Sequence, residues 1–106
     1  MERQMGVYML LCGGGTLYTG WTNDLERRLS AHMSGRGCKY TASHQPVQLV
    51  YFEPQPSRSA ALRREAAIKR LPRAQTQALI FGPSNALPFL FPEKWATIDK
   101  NQWTRQ

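Results

Sequence analysis

Five side chains carry acid–base or charge-binding groups at spacings that regular structure would bring together. Tyr8 and Tyr18 lie ten positions apart, on either side of the triplet Gly13-Gly14-Gly15. Arg28 and His32 are four residues apart, the interval that places two side chains on one edge of a helix. Glu65 falls between Leu62 and Ile68 at helical spacing, a carboxylate on an apolar face. Such a group is costly to cover unless it has a partner, and Lys69, four residues on, is the partner the sequence offers. Phenol, imidazole and carboxylate groups transfer protons, and a guanidinium grips an anion through a planar fork. The chain carries a net charge of +7 over 106 residues. That excess suits a polyanion, of which nucleic acid is the commonest in a cell. An anionic membrane would instead call for a basic amphipathic helix with a wide apolar face, and no segment stands apart from core-forming helices in that way.

The elements that must position these groups follow from periodicity. The apolar run from Gly6 to Cys12 ends at three glycines and reads as a strand buried on both faces. The glycines supply a tight hairpin, and Leu17 to Trp21 returns as the second strand. Alternation puts Leu17, Thr19 and Trp21 on one face and Tyr18 and Gly20 on the other. Asn23 with Glu26 three residues later forms a capping box, starting a helix from Asp24 to about Ser34. Leu25, Leu29 and Met33 make its core stripe, with Arg28 and His32 on one edge and Arg27 facing solvent. Residues 35–45 read as a loop, basic at its start. Pro46 to Glu53 is a third strand. A second helix begins at Ser57 or Ser59 with Ala61, Leu62 and Ile68 as its apolar face, and Pro72 to Ile80 is a third, shorter helix. Residues 81–106, with Pro83, Pro88, Pro92, Trp95 and Trp103, read as an irregular extension packing across the domain in places.

The length fits one domain with a modest core, and 42% hydrophobic residues excludes a disordered chain. Cys12 and Cys38 show no metal-ligand spacing and read as reduced thiols. With no signal peptide and no apolar run long enough to span a bilayer, a cytoplasmic protein without membrane attachment is expected.

Gly6-Val7-Tyr8, Tyr18-Thr19-Gly20, Asn23 and the run from Leu25 to Leu29, followed by Glu65 within Leu62 to Lys69, resemble the GIY-YIG nuclease superfamily. The stretch from Gly35 to Thr41 and the strand around Leu49-Val50-Tyr51 are similar to the small stand-alone bacterial members. The resemblance covers about residues 5–80, so residues 1–80 are expected to form the nuclease domain and 81–106 a C-terminal extension. It implies an α+β fold with a central three-stranded sheet flanked by helices. The order strand, strand, helix, strand, helix, helix, read from the residues alone, agrees with it.

The resemblance further implies hydrolysis of nucleic-acid phosphodiesters with one divalent metal ion, Mg²⁺ or Mn²⁺, and DNA as the expected partner, including single-stranded or branched forms met in repair or uptake. On the matching positions Glu65 is the metal ligand, Arg28 the fork for charge developing on phosphorus, and Tyr8 the general base. A phenol with an ordinary pKa of about 10 needs a nearby cation or metal for that task. Tyr18 is expected to orient water or phosphate, His32 to bond the scissile phosphate or shuttle a proton, and Gly20 to permit close backbone approach. Arg36, Lys39, Tyr40, Arg63, Lys69 and Arg70 are the candidates for holding the nucleic acid, Tyr40 by stacking. Each has an ordinary alternative: core tyrosines, a packed histidine, a helix-surface ion pair between Glu65 and Lys69, a solvated basic face.

The sequence departs from the family pattern in three places. Ala42 to Gln45 lacks an arginine, Thr76 stands where a lysine is common, and no asparagine after Glu65 matches the one in many larger members. The alternative reading is a nucleic-acid-binding module of the same fold with weak catalysis. A protein-interaction domain using the aromatic extension is a third.

Overall fold

The computed structural model describes residues 4–99. Its centre is an antiparallel sheet of three strands, β1 (Gly6–Leu11), β2 (Leu17–Thr22) and β3 (Gln48–Pro54), in the spatial order β2-β1-β3. Two helices follow β2: α1 (Leu25–Met33) and the short α2 (Lys39–Ser43). After β3 come α3 (Arg58–Lys69), α4 (Arg73–Ile80), α5 (Leu87–Leu90) and α6 (Pro92–Ala96). The expected α+β architecture is the one observed. Val7, Tyr8, Met9 and Leu10 are all buried, so the middle strand is covered on both faces as its unbroken apolar run implies. Among the described residues no helix is long and apolar enough to cross a membrane.

The β1–β2 hairpin closes through Gly14 and Gly15, both at positive φ, and keeps Tyr8 opposite Gly20 and Leu10 opposite Tyr18. Helix α1 starts one residue later than the capping box suggests. Thr22 Oγ1 accepts from the Asp24 N–H at 3.0 Å, and Asp24 Oδ1 caps the Arg27 N–H at 3.2 Å, so Asp24 rather than Asn23 is the N-cap. The helix ends at Gly35, whose φ of 83° lets Gly35 N–H reach the His32 carbonyl and Arg36 N–H the Ala31 carbonyl. Those two bonds form a Schellman closure and turn the chain sharply back over the helix.

Three further expectations are corrected. Met33 is 60% exposed and leaves the core stripe, while His32 is buried in its place. The segment read as a loop contains α2, which covers His32. On α3, Ala61 and Ile68 are buried as expected but Leu62 is 39% exposed; of the two serines offered as its start, Ser57 is the cap, its hydroxyl accepting from Ala60 N–H at 3.1 Å.

The extension is more ordered than its prolines imply. Leu87 and Ile98 are buried in the same core as the sheet, with Phe91 and Trp95 packed against it. Trp103 lies outside the described residues. Asn85 anchors this segment. Its Oδ1 accepts from the N–H groups of Phe52 and Leu87, and its Nδ2 donates to the carbonyls of Val50 and Ile80. Ala86 N–H adds a bond to the Phe52 carbonyl at 2.8 Å. Together they pair three backbone groups of β3, at Val50 and Phe52, that an open strand edge would otherwise leave without partners. Replacing Asn85 with Ala leaves buried donors and acceptors without partners, and the expected loss is at least about 2 kcal/mol in chemical denaturation.

Candidate active site

Tyr8 is the centre of the site. A Cβ at position 20 would come within 2.6 Å of its hydroxyl, so glycine opposite it leaves the phenol room to lie across β2. The Tyr8 hydroxyl is 2.7 Å from His32 Nε2, and Arg28 Nε donates to it at 3.5 Å. Helical phase delivers both groups: one turn separates Arg28 from His32, while Arg27 points to solvent. The other imidazole nitrogen, Nδ1, is 2.8 Å from Thr41 Oγ1 on α2. Gly37 passes so close to the ring that any Cβ there would collide with it. The Tyr18 ring lies 5.4 Å from His32 and 6.4 Å from Tyr8 between centroids, and its hydroxyl bonds Cys38.

Burial governs the electrostatics. It pushes Tyr8 above the usual phenol value, and the hydrogen bond and charge of Arg28 oppose it without prevailing. The cation that a basic Tyr8 requires is therefore present, but desolvation is the larger effect. Burial pushes Tyr18 up as well. It holds His32 below the ordinary imidazole value, and Arg28 adds to the shift. Tyr8 and His32 are thus a neutral pair joined by one short hydrogen bond. For Cys38, burial acts upward, but bonds from the Thr41 hydroxyl, the Tyr18 hydroxyl and the backbone of Thr41 and Tyr40 outweigh it and bring the thiol down.

Helix α3 packs on β2 and β1 and carries Glu65, whose charge is felt at Tyr8. The ion pair read in the sequence is formed: Lys69 Nζ is 3.4 Å from Glu65 Oε2, with the carboxylate side chain 18% exposed and the lysine 52%. Among the described residues no three His, Cys, Asp or Glu converge on one point. The donor set is one hard carboxylate, which fits a hydrated octahedral ion such as Mg²⁺ or Mn²⁺ that completes its shell with water and phosphate oxygens.

The candidate binding residues are spread more widely. Arg36, Lys39, Arg63 and Arg70 are exposed, and Arg63 donates to Ser59 Oγ at 2.6 Å. Lys69 and Tyr40 line a cleft of about 620 Å³ together with Thr16, Tyr18, Arg73 and Thr76. Tyr40 is stacked within the protein, on His44 at 4.1 Å and beside Tyr18 at 6.1 Å, and its hydroxyl donates to Thr16 Oγ1. A second cleft of about 480 Å³ is walled by Trp21, Asn23, Arg27 and Arg28. The two clefts meet β2 at its opposite ends. Sequence reasoning missed Thr41, Gly37 and Arg73. Arg73 Nη2 donates to the Gly15 carbonyl at 2.7 Å and ties α4 to the hairpin tip. None of the three lies on a periodic stripe, so pattern offered no signal for them.

The depressed His32 pKa makes stability depend on pH. The unfolded chain binds a proton at His32 near the ordinary value of about 6.5, whereas the folded chain resists it. This contribution is therefore fully present above that pH and is lost as the pH falls from it toward the lower folded value. Denaturation midpoints measured from pH 7.5 down to 5 are expected to fall more steeply for the wild type than for His32→Asn.

Comparison with known proteins places the chain among relatives of the same fold. A UPF0213 protein of Xanthomonas axonopodis pv. citri is 51% identical over 72 residues, covering 68% of this chain and 71% of that protein. A UPF0213 protein of Syntrophus aciditrophicus is 52% identical over 75 residues, covering 70% and 86%. The solution NMR structure of a UPF0213 protein from Bacillus halodurans superposes with a TM-score of 0.54 at 35% identity, covering 89% of this chain and 94% of that one. The profile of the GIY-YIG catalytic domain matches residues 4–78, and the chain that places Tyr8, Tyr18, Arg28, His32 and Glu65 around one sheet belongs to the GIY-YIG family.

Proposed function

We propose that this protein is a divalent-metal-dependent endonuclease that hydrolyses phosphodiester bonds in DNA. The observation that carries this reading is the line Arg28–Tyr8–His32, a cation joined to a neutral proton relay, with Arg28 and Arg27 lining one cleft at β2 and Tyr18, Lys69 and Arg73 lining the other. A nucleic-acid strand laid along β2 passes from Lys69 and Arg73 at one end to Arg27 and Arg28 at the other. These groups hold phosphates and read no base, so they set position rather than sequence preference.

Glu65 holds the metal, which when bound supplies a Lewis acid for a phosphoryl oxygen. Lys69 keeps the carboxylate oriented and is exposed enough to turn to a phosphate. Arg28 offers N–H donors where negative charge grows on phosphorus. Attack by water forms the new P–O bond. The water gives a proton to the Tyr8 oxygen, and the proton already on Tyr8 passes to His32 Nε2 at 2.7 Å. The P–O bond to the leaving oxygen breaks, and that oxygen takes a proton from solvent. A relay of this kind never requires a free tyrosinate, which burial makes costly. Tyr18, beside both rings, orients the water or phosphate.

The test is cleavage of end-labelled single-stranded, duplex and branched DNA, and of RNA, with Mg²⁺, with Mn²⁺ and with chelator. Cutting is expected only with metal. Arg28→Ala and Glu65→Ala are each expected to lower it by about 100-fold or more. Cutting that survives chelation or loss of Glu65 would overturn the assignment. Nucleic-acid binding that falls steeply with salt, with no cutting of any substrate, would replace it with the binding-module reading.

A further inference from the structure

Thr41 is fully buried, and the reaction above makes no use of it. Its hydroxyl ends a line of hydrogen bonds that starts at Arg28, and that line has one self-consistent direction. Arg28 Nε has a proton and no lone pair to offer, so the Tyr8 oxygen accepts from it. The Tyr8 hydroxyl gives its single proton to the nearer neighbour, His32 Nε2. A neutral imidazole has one bare nitrogen and one N–H, so Nδ1 carries the proton and donates to Thr41 Oγ1 at 2.8 Å. Thr41 in turn donates to the Cys38 carbonyl at 3.4 Å, with the Cys38 sulfur 3.5 Å away as a second recipient. Both ends of the line work one way only: a guanidinium donates and a carbonyl accepts.

We infer that Thr41 is a positioning residue whose hydroxyl fixes His32 as the Nδ1–H tautomer and so keeps Nε2 open to the Tyr8 proton. Its effect on rate rests on the nuclease reading. The tautomer rests on geometry alone. In the transfer step the Tyr8 O–H bond breaks and an N–H bond forms at His32 Nε2. The electron pair stays on the phenol oxygen, which takes the proton of the attacking water. The resulting imidazolium keeps its Nδ1–H on Thr41 and later returns its other proton to the Tyr8 oxygen as Tyr8 releases the proton it took from the water. The groups facing the ring are Tyr8 and Tyr18 from the strands, Arg28 on its own helix and Thr41 from α2, with the Cys38 sulfur one contact further out on Thr41. Gln45 Nε2 donates to the His32 backbone carbonyl at 2.8 Å and leaves the ring alone. Without the Thr41 hydroxyl, no other group in the line rewards a proton on Nδ1. The proton then favours Nε2, where it blocks the transfer from Tyr8.

The deciding experiment is long-range ¹H–¹⁵N NMR of the side-chain nitrogens in ¹⁵N-histidine-labelled protein, free of metal and nucleic acid. The chain has two histidines, and His44→Gln assigns the signals. Wild type is expected to show His32 with a protonated Nδ1 and a bare Nε2. Thr41→Val, which keeps the shape and removes the hydroxyl, is expected to move the proton toward Nε2, and Thr41→Ser to restore it. In the cleavage assay Thr41→Val is expected to lower kcat at least about tenfold with KM for DNA unchanged, and Thr41→Ser to keep most of the rate. A wild-type His32 protonated at Nε2 overturns the inference, even if the valine variant fails to fold. So does a folded Thr41→Val protein with an unchanged tautomer. A wild type that cuts no nucleic acid would refute the nuclease reading, while the NMR result would still decide the tautomer.

Discussion

The hydrogen bond between Tyr8 and His32 constrains much of this small fold. Both residues are buried, one on the middle strand and one on the first helix, so the bond forms only if sheet and helix sit at one distance. A buried hydroxyl and imidazole are costly unless every polar atom has a partner. Arg28 meets the phenol oxygen from one side and Thr41 meets the outer imidazole nitrogen from the other. The two rings also need space that a Cβ on the neighbouring backbone would fill, and Gly20 and Gly37 provide it. Four residues drawn from β2, α1, α2 and the turn between the helices are thus explained by one interaction.

The same burial decides what chemistry the pair can perform. In water a phenol and an imidazole differ by about 3.5 pKa units, and a cation beside the phenol would narrow the gap. Here desolvation penalises the charged form of each, raising Tyr8 and lowering His32. The gap widens, and a resting tyrosinate–imidazolium pair is disfavoured. A short hydrogen bond between two neutral groups is still suited to passing a proton while another arrives. Charge is then created on the imidazole only as it is relieved on the attacking water. The Tyr8–His32 pair itself carries no standing charge, and Arg28 is the one cation in direct contact with it.

The sequence revealed those parts of the fold and site that repeat with a period. The unbroken apolar run of β1 located Tyr8, the two-residue alternation of β2 located Tyr18 and Gly20, and the four-residue interval of α1 separated Arg28 from Arg27. The ion pair between Glu65 and Lys69 followed from the same spacing on α3. Periodicity failed at Met33 and His32, because a stripe ranks methionine above histidine for burial and gives no weight to hydrogen-bond partners on another element. It failed at α2, where Lys39 to Ser43 is too short to show a face and is instead held by Thr41 and by Tyr40 against Thr16. It failed again at Asn85, where the residue type argues for a turn. In the structure its amide stands in for a peptide group, bonding backbone on β3 and at the end of α4.

Asn85 also bears on why so short a chain keeps an open working face. A three-stranded sheet has two exposed edges, and covering both with helices would leave neither to line a cleft. This fold treats them unequally. The outer edge of β3 is sealed by Asn85 and Ala86, with Leu87 and Ile98 carrying the segment into the core. A second polar network links the same strand to α3 and the turn before Asn85: the Tyr51 hydroxyl bonds Glu53 and Ser84, and Arg64 donates to both Glu53 oxygens at 3.1 and 3.0 Å. Burial together with the neighbouring carboxylate holds Tyr51 at about 12, so it serves there as a neutral donor. With β3 fastened in this way, β2 is free to line a cleft at each of its ends. The working edge stays accessible because the opposite edge carries the stabilising contacts, and residues beyond the matched catalytic segment supply part of them.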